Sequence, residues 1–182
     1  MRHSYLIDGY NLIHALGMIQ RNLAPGGLEA SRRRLLDFLA ESFGNNASSV
    51  TIVFDAKHAP PGVQRTQSHH GLHILFAPRN QSADDLIETL IDAETNPSEL
   101  TVISNDQRLQ NAAHREKAHA WSHEDLLDFL EKRQAAAPPA AAADEKSDLM
   151  SPEEMRRWLK EFEPLERDPE LKEFFDLDRF ED

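Results

Sequence analysis

The sequence Ser4-Tyr5-Leu6-Ile7-Asp8-Gly9-Tyr10-Asn11 decides the fold class. Its first four residues form a short apolar run, which is typical of a buried strand. Asp8 and Gly9 follow this run directly, so an acidic side chain is predicted at the carboxyl end of the strand. The next helix is predicted to begin only at Asn11, which leaves Asp8 without an adjacent helix to cap. We therefore expect a strand that places a carboxylate at one edge of a sheet.

Strands and helices alternate along the rest of the sequence. Further strands are predicted at residues 50–54, 72–76, 100–103 and 118–121, and helices at residues 11–19, 28–43, 82–94, 107–115 and 122–133. Residues 58–70 contain two prolines and a glycine without an apolar period, and they are predicted to form a long loop. This alternation predicts an α/β fold, with a doubly wound, mainly parallel sheet and helices on both of its faces.

A change of composition marks the end of this domain. Residues 135–143 read AAAPPAAAA, a low-complexity sequence without a core-forming pattern. We predict a domain at residues 1–133, an Ala/Pro-rich linker at residues 134–150 and an acidic helical extension at residues 151–182. The extension contains an apolar helical stripe that is expected to contact a protein partner or a second copy, formed by Met155, Trp158, Leu159 and Phe162.

Composition excludes several classes of site. The 182 residues include no cysteine, which rules out disulfides, thiolate zinc sites and a cysteine nucleophile. The apolar run near the N-terminus is too short for a signal peptide, and no segment approaches the length of a membrane span. We expect a soluble protein of the cytoplasm.

The net charge of -12 is unusual for a protein that binds a polyanion. Residues 1–133 contain 13 lysines and arginines against 17 acidic residues, and residues 134–182 contain 7 against 15. Most of the excess acidity therefore lies in the linker and the extension. The charge neither indicates nor excludes nucleic-acid binding by the domain.

Five aspartates fall at one edge of the predicted sheet. Asp8 and Asp55 end the first and second strands, Asp106 follows the fourth, and Asp84 and Asp85 open the helix after the third. The carboxyl ends of parallel strands meet at one edge, where ligands bind. Carboxylates gathered there repel one another unless a cation neutralises them. An all-oxygen set suits Mg²⁺ or Mn²⁺, which can activate water and orient a phosphate for phosphodiester hydrolysis.

Each of these aspartates also has a structural alternative, because Asp commonly accepts backbone N–H groups at helix N-caps and turns. Asp106 is placed to cap the helix at residues 107–115. Asp85 is the acid of a capping box with Ser82. The metal-site interpretation depends on the recurrence of all five acids at one edge.

Four segments in order resemble the motifs of NYN domain ribonucleases, most closely the YacP-like branch, which is related to PIN domain nucleases. They are Leu6-Ile7-Asp8-Gly9-Tyr10-Asn11-Leu12, Val53-Phe54-Asp55-Ala56, Ser82-Ala83-Asp84-Asp85-Leu86-Ile87 and Val102-Ile103-Ser104-Asn105-Asp106. The resemblance covers about residues 3–132. It implies a PIN-like fold and a metal-dependent endoribonuclease of RNA decay or processing, and in this branch action on messenger RNA at the ribosome is known.

Carried over residue by residue, the resemblance implies that Asp8, Asp84 and Asp106 bind the metal, with Asp55 and Asp85 as additional members. Asn11 and Asn105 lie beside these acids. Either asparagine could hydrogen-bond a water or a phosphate, or stabilise its own turn. The acidic extension departs from a minimal family domain, and its role is open.

Basic residues near the predicted site are candidates for contacts with single-stranded RNA. Lys57 and Arg65 lie in the long loop after Asp55, where flexible cations can close over a strand, and Arg79 precedes the helix of Asp84. Arg33 lies in a run of three arginines that cannot all face one ligand, so a solvated helix face is the alternative. Asn105 is an additional candidate for an RNA contact.

Three histidines lie close together in the sequence, at His69, His70 and His73. Their spacing matches no specific zinc motif, and they are expected to have ordinary polar roles.

Two other functions are consistent with parts of the sequence. One is phosphotransfer on Asp55, as in receiver or dehalogenase-like folds. A receiver would carry paired acids after its first strand and a lysine after its fifth, whereas Asp8 stands alone and Trp121-Ser122 follows here. The other is an RNA-binding or ribosome-associated adaptor without catalysis, in which the extension docks a partner.

Overall fold

The computed structural model describes residues 3–18, 27–55, 62 and 64–136. The predicted extension and most of the predicted linker lie outside these residues. The strands are β1 (Ser4–Asp8), β2 (Val50–Phe54), β3 (Thr66–His69), β4 (Leu72–Phe76), β5 (Leu100–Ile103) and β6 (His119–Trp121). The helices are α1 (Gly9–Ala15), α2 (Gly27–Phe43), α3 (Ala83–Asp92), α4 (Gln107–Arg115) and α5 (His123–Ala136).

The strands form one sheet in the order β3-β4-β2-β1-β5-β6. All neighbouring pairs are parallel except β3 and β4, which are antiparallel. The chain places β2 and β4 on one side of β1 and then β5 and β6 on the other, so the sheet is wound in two directions from β1. The predicted α/β fold with a doubly wound, mainly parallel sheet is confirmed. Ligands of such sheets bind where the direction of winding reverses, which here is the carboxyl edge between β1 and β5.

Each face of the sheet is buried under its own set of helices, because a parallel sheet has helical crossovers on both faces. Ile7 and Ile52 pack on one face with apolar residues of α1, α2 and α5. Leu6 and Val53 pack on the other face with residues of α3 and α4. The side chains of the central strand β1 therefore alternate between two cores, which cover both faces of the strand.

The predicted loop at residues 58–70 is wrong in its last part. Thr66–His69 forms the edge strand β3, which pairs with β4 in the register Thr66↔Leu75 to His69↔Leu72. Its side chains are exposed or half-buried, and none is apolar. An edge strand of this kind is held by backbone hydrogen bonds to its neighbour, so it has no periodic apolar pattern to find in the sequence.

The first helix begins earlier than the sequence predicted. It starts at Gly9, and Asp8 is its N-cap, with the Asp8 side chain accepting a hydrogen bond from the backbone N–H of Asn11. The expectation that Asp8 has no adjacent helix to cap is therefore wrong. The start of this helix packs closely on Phe54. A Cβ atom at position 9 would lie 2.3 Å from the Phe54 ring, so glycine is the residue that fits there.

None of the helices in the described part of the chain is both long and apolar enough to cross a membrane.

Candidate metal centre at the carboxyl edge

Asp8 is the most buried carboxylate at the carboxyl edge of the sheet, with 6% of its surface exposed. Burial raises the pKa of Asp8 to about 6, and the charges of Asp84 and Asp106 act in the same direction. Hydrogen bonds from the backbone and the side chain of Asn11 oppose these effects only in part. Asp8 is thus a carboxylate whose negative charge is unfavourable in this structure without a compensating positive charge.

Asp84 and Asp106 converge on Asp8 from two different helices. Asp84 lies in the first turn of α3, and burial followed by the charge of Asp106 raises its pKa. Asp106 caps α4, with its carboxylate accepting from the backbone N–H of Arg108 at 2.6 Å. The structure therefore brings together the three acids for which the resemblance implied metal binding, because the charges of Asp84 and Asp106 are close enough to Asp8 to raise its pKa.

Asp85 faces a different set of partners. Its carboxylate completes the capping box with Ser82, and its other oxygen accepts from the Arg108 guanidinium at 2.6 Å. The hydrogen bond from Arg108, followed by those from Ser82, lowers the pKa of Asp85. Glu88 also binds Arg108, at 2.9 Å. Asp85 thus lies beside the centre and is already satisfied by a cation of the protein itself.

Asp55 follows β2, the neighbour of β1 in the sheet, and is half-buried. Its charge acts on the hydroxyl of Tyr10, whose pKa is raised by burial and, to a lesser degree, by Asp55. Asp55 therefore lies at the same edge of the sheet as the three converging acids, beside Tyr10.

The donor atoms of the three converging acids suit a hard divalent cation. All are carboxylate oxygens, and Mg²⁺ prefers such ligands while keeping several of its waters. The ligand atoms of these three acids are not all within 4.8 Å of one another. Among the described residues, the one group that meets this distance is Asp37, His69 and His70, at the edge of the sheet opposite the carboxyl edge. A hydrated ion tolerates such spacing better than a fully dehydrated one.

Comparisons with known proteins agree with this fold. The family model of the YacP-like NYN domain matches residues 5–165. The chain belongs to the YacP-like NYN domain family. NYN domains are a nuclease-type family, and the match extends beyond residues 3–132, which carry the sequence resemblance, into the predicted extension.

This YacP-like NYN domain is similar to proteins of Bacillus subtilis. It is 32% identical to the uncharacterised protein YacP over 127 residues, which are 69% of this chain and 74% of that protein. It matches the crystal structure of Rae1 (YacP) with a TM-score of 0.58 and 25% identity, covering 97% of this chain and 95% of that one. The crystal structure of a single-substitution mutant of Rae1 (YacP) matches with the same TM-score of 0.58 at 26% identity, covering 74% of this chain and 78% of that one.

The two asparagines of the motifs have different partners. Asn11 holds Asp8, as described above. The side-chain oxygen of Asn105 accepts a hydrogen bond from the backbone N–H of His123 at 3.0 Å, and this contact ties the turn after β5 to the start of α5. Asn11 is therefore placed to orient a site carboxylate, whereas Asn105 stabilises the edge of the sheet behind Asp106.

The candidate RNA contacts among the described residues are all exposed and belong to different parts of the chain. Arg79 is exposed in the segment between β4 and α3, and Arg65 is exposed directly before β3. Arg33 is exposed on α2, where it lies 3.6 Å from Glu29. Lys57 lies outside the described residues. Arg79 is the one that lies in the segment leading into the helix of Asp84.

Two arginines near the centre have contacts that sequence reasoning did not predict. Arg32 is buried, donates to the Tyr10 hydroxyl at 3.2 Å and packs against the Phe54 ring. Its spacing of three, four and seven residues from Leu35, Leu36 and Leu39 places it on the apolar face of α2, and this signal could have found it. Arg108 joins α4 to α3 through Asp85 and Glu88, and no sequence pattern marks such a contact between helices.

A buried histidine also lies behind the centre. Both ring nitrogens of His123 are buried without a hydrogen-bond partner in the described residues. Burial lowers the pKa of His123 to about 4. The ring is therefore neutral at physiological pH and offers no positive charge to the nearby acids.

Proposed function

We propose that this NYN domain is a metal-dependent endoribonuclease that hydrolyses phosphodiester bonds of RNA, in RNA decay or processing in the cytoplasm. The observation that carries the proposal is the convergence of Asp84 and Asp106 on the buried carboxylate of Asp8. Membership of a nuclease-type family supports the same reaction class.

A purely structural role does not account for the acid at position 8. Asn caps a helix as well as Asp does, and a neutral side chain would avoid the burial of a negative charge. Raising the pKa of Asp8 from 3.8 to about 6 corresponds to about 3 kcal/mol of unfavourable free energy for the charged form. A bound cation converts this unfavourable charge into a binding interaction, which explains why the acid is useful at this position.

Asp8, Asp84 and Asp106 are the residues proposed to hold Mg²⁺ or Mn²⁺, with Asp55 as an additional ligand at the margin. Asp85 joins them only if Arg108 releases it, because the guanidinium and Ser82 already occupy its oxygens. When bound, the ion supplies activation of water and neutralisation of charge on the phosphodiester.

The surrounding residues prepare the acids for this task. Asn11 fixes the orientation of Asp8 by its hydrogen bonds, and these bonds favour the ionised carboxylate. Arg108 lowers the pKa of Asp84 against the effect of burial. Exposed Arg79 and Arg65 are proposed to bind RNA phosphates on either side of the cleavage point, together with Lys57 and Arg33. Single-stranded RNA fits such a set, since flexible cations can follow an irregular backbone.

Cleavage of labelled single-stranded RNA tests the proposal. Wild type is expected to cut in the presence of Mn²⁺ or Mg²⁺, and EDTA is expected to stop the reaction. Asp8→Asn keeps the capping group but removes a proposed ligand, so its rate is expected to fall by at least about 100-fold.

Asp92→Asn is the matched control. Asp92 lies on the same helix as Asp84 but is exposed and bound to Arg115, so the same chemical change there is expected to leave the rate unchanged. Equal rates for wild type and Asp8→Asn, or no cutting by wild type with either ion, would overturn the proposal.

A further inference from the structure

A second cluster of metal-ligating side chains lies at the opposite edge of the sheet from Asp8. Asp37 belongs to α2, His69 ends β3, and His70 lies in the turn between β3 and β4. One ligand atom from each of the three lies within 4.8 Å of the other two. The cluster lies where β4 begins, and β4 runs parallel to β2 and β1. Asp8 is the last residue of β1, so it lies at the other end of these parallel strands. The length of a five-residue strand, roughly 16 Å, therefore separates the cluster from the acids.

The turn explains how two consecutive histidines reach one point. Neighbours in a strand project to opposite faces, so His69 and His70 would diverge if β3 continued. Instead His70 and Gly71 have positive φ angles of 47° and 92° in a two-residue hairpin turn between the paired residues His69 and Leu72. The chain reverses there, and the two imidazole rings lie edge to face with their centroids 4.5 Å apart.

The face of the sheet decides which other residues join the cluster. Residues paired across antiparallel strands project to the same face, so His69 shares the face of Leu72, whose side chain packs with the core under α2. Asp37 on α2 meets it there, and its carboxylate lies 2.6 Å from Nε2 of His69. His73 is the next residue of β4 and is exposed on the other face, so it stays outside the cluster.

We propose that Asp37, His69 and His70 form a binding site for a transition-metal ion of the Zn²⁺ type. Two imidazoles and one carboxylate are a donor set that suits zinc and leaves a coordination position for water. Magnesium does not favour imidazole, so the ion that fits this cluster differs from the one that fits the acids. The site does not depend on the proposed nuclease function.

The present spacing of the three side chains is close to what an ion requires. In a tetrahedral zinc site the ligand atoms lie about 3.3 Å apart, as follows from Zn–N bonds of about 2.0 Å. The contact between Asp37 and His69 at 2.6 Å has to open by about 0.7 Å, and the widest separation has to close by about 1.5 Å at most. Because His69 and Asp37 are half-buried and His70 is exposed, side-chain rotation supplies these movements and leaves the backbone in place.

The ion would join a helix to the edge of the sheet. β3 pairs with β4 alone, and its exposed side chains bury little apolar surface. A metal held by α2 and by the hairpin turn is a cross-link between two elements that are far apart in the sequence. Zinc is therefore expected to stabilise the folded protein as well as bind to it.

Calorimetric titration of the tag-free full chain with ZnCl₂ tests the site, with excess Mg²⁺ present to occupy the acids. Wild type is expected to bind about one equivalent with a dissociation constant on the order of 10 μM or tighter. His70→Asn is the main variant, because Asn tolerates a positive φ and the hairpin should fold. It is expected to weaken binding by at least about 10-fold, as is Asp37→Asn.

Two controls make the result specific. His73→Asn removes an exposed histidine from the other face of the same hairpin, and Asp8→Asn removes the central acid of the opposite edge, so both are expected to bind zinc as wild type does. The inference fails if wild type shows no saturable binding below about 100 μM, if His70→Asn binds as well as wild type, or if either control weakens binding equally. Asp8→Asn also separates the two proposals, because it is expected to lower the rate of RNA cleavage by at least about 100-fold and to keep zinc binding.

Discussion

The negative charge of Asp84 raises the pKa of Asp8, although Asp8 ends β1 and Asp84 lies in the first turn of α3. Burial is the larger cause, and Asp106 acts in the same direction as Asp84. The charges of both Asp84 and Asp106 therefore act on Asp8 through space. Because a coupled, buried acid affects folding as well as function, the centre should be visible in measurements of stability.

Metal-free Asp8→Asn is expected to be more stable than wild type at neutral pH. The pKa of Asp8 is about 6 in the folded protein against 3.8 ordinarily, so its contribution to stability is present below 3.8 and is lost as the pH rises through 6. Asn does not titrate and still caps α1. Urea unfolding in EDTA should therefore show a gain of about 3 kcal/mol at pH 7.5, which shrinks to about 1 kcal/mol at pH 4.5.

Asp92→Asn serves as the comparison for this experiment, since Asp92 is exposed and paired with Arg115. It should show no gain at either pH. A loss of stability in Asp8→Asn at pH 7.5 would mean that the carboxylate is already neutralised by the protein alone, and that no cation is needed there.

The buried histidine behind the centre should have the opposite pH dependence. The pKa of His123 is lowered from 6.5 to about 4, so the unfolded chain takes up its proton first as the pH falls. Its contribution is present above pH 6.5 and is lost on the way to pH 4, at a cost of about 3 kcal/mol. His123→Leu, of similar volume, should lose this acid-side decline in urea unfolding.

His73→Leu makes the same substitution at an exposed position of β4 and should keep the decline. In wild type the trends of Asp8 and His123 partly cancel between about pH 4 and about pH 6, so only the two variants together reveal them. An unchanged decline in His123→Leu would show that His123 of the wild type takes up its proton as readily in the folded protein as in the unfolded chain.

Much of the carboxyl edge could be predicted from the sequence, because local patterns determine it. Asp8 and Asp55 directly follow mainly apolar runs, Asp106 follows a third run after two further residues, and parallel strands that end in acids place those acids at one edge. The capping box of Ser82 and Asp85 also depends on neighbours in the chain, and the structure contains it as predicted. Patterns among residues that are neighbours in the chain were therefore enough to predict the fold class and the placement of these acids at one edge of the sheet.

Contacts between residues that are far apart in the sequence could not be predicted from it, for a physical reason. Asp37 meets His69 only because β3 is an edge strand, and an exposed, polar edge strand has no apolar period to recognise. The positive φ of His70, which brings the two imidazole rings together, is likewise a property of the hairpin turn and not of any sequence motif. Arg108 binds Asp85 across two helices, and a single sequence does not record which exposed side chains meet.

Gly9→Ala is expected to destabilise the protein by about 2 kcal/mol, as overpacking of a core does. The added methyl group would lie 2.3 Å from the Phe54 ring, which also packs against Tyr10 and lies below Arg32. Thermal or urea unfolding measures the loss. If the clash is the cause, Gly9→Ala should be less harmful in a Phe54→Leu background.

Gly44→Ala provides a contrast, because Gly44 has a positive φ of 49° and open space where its Cβ would lie. Its cost of about 1 kcal/mol should come from the backbone and be equal in both backgrounds. Equal costs for Gly9→Ala in the two backgrounds would show that α1 can shift away from the ring.

Arg108→Gln is expected to move the acid limb of metal-dependent RNA cleavage to higher pH. Arg108 lowers the pKa of Asp84, and its removal also leaves Asp85 and Glu88 without their cation, so that more negative charge acts on Asp84. If Asp84 holds Mg²⁺ as proposed, it must be ionised to do so, and activity at the acid end of the pH profile should fall by about threefold, while activity at about pH 8.5 should be unchanged.

Arg115→Gln is the matched control, since Arg115 is an exposed arginine of the same helix whose partners are Asp92 and Glu116. Its pH profile should coincide with that of wild type. A uniform loss of activity at every pH in Arg108→Gln would indicate that the guanidinium contacts the RNA directly. A shift confined to the acid limb is the result expected if Arg108 acts through the ionisation of Asp84.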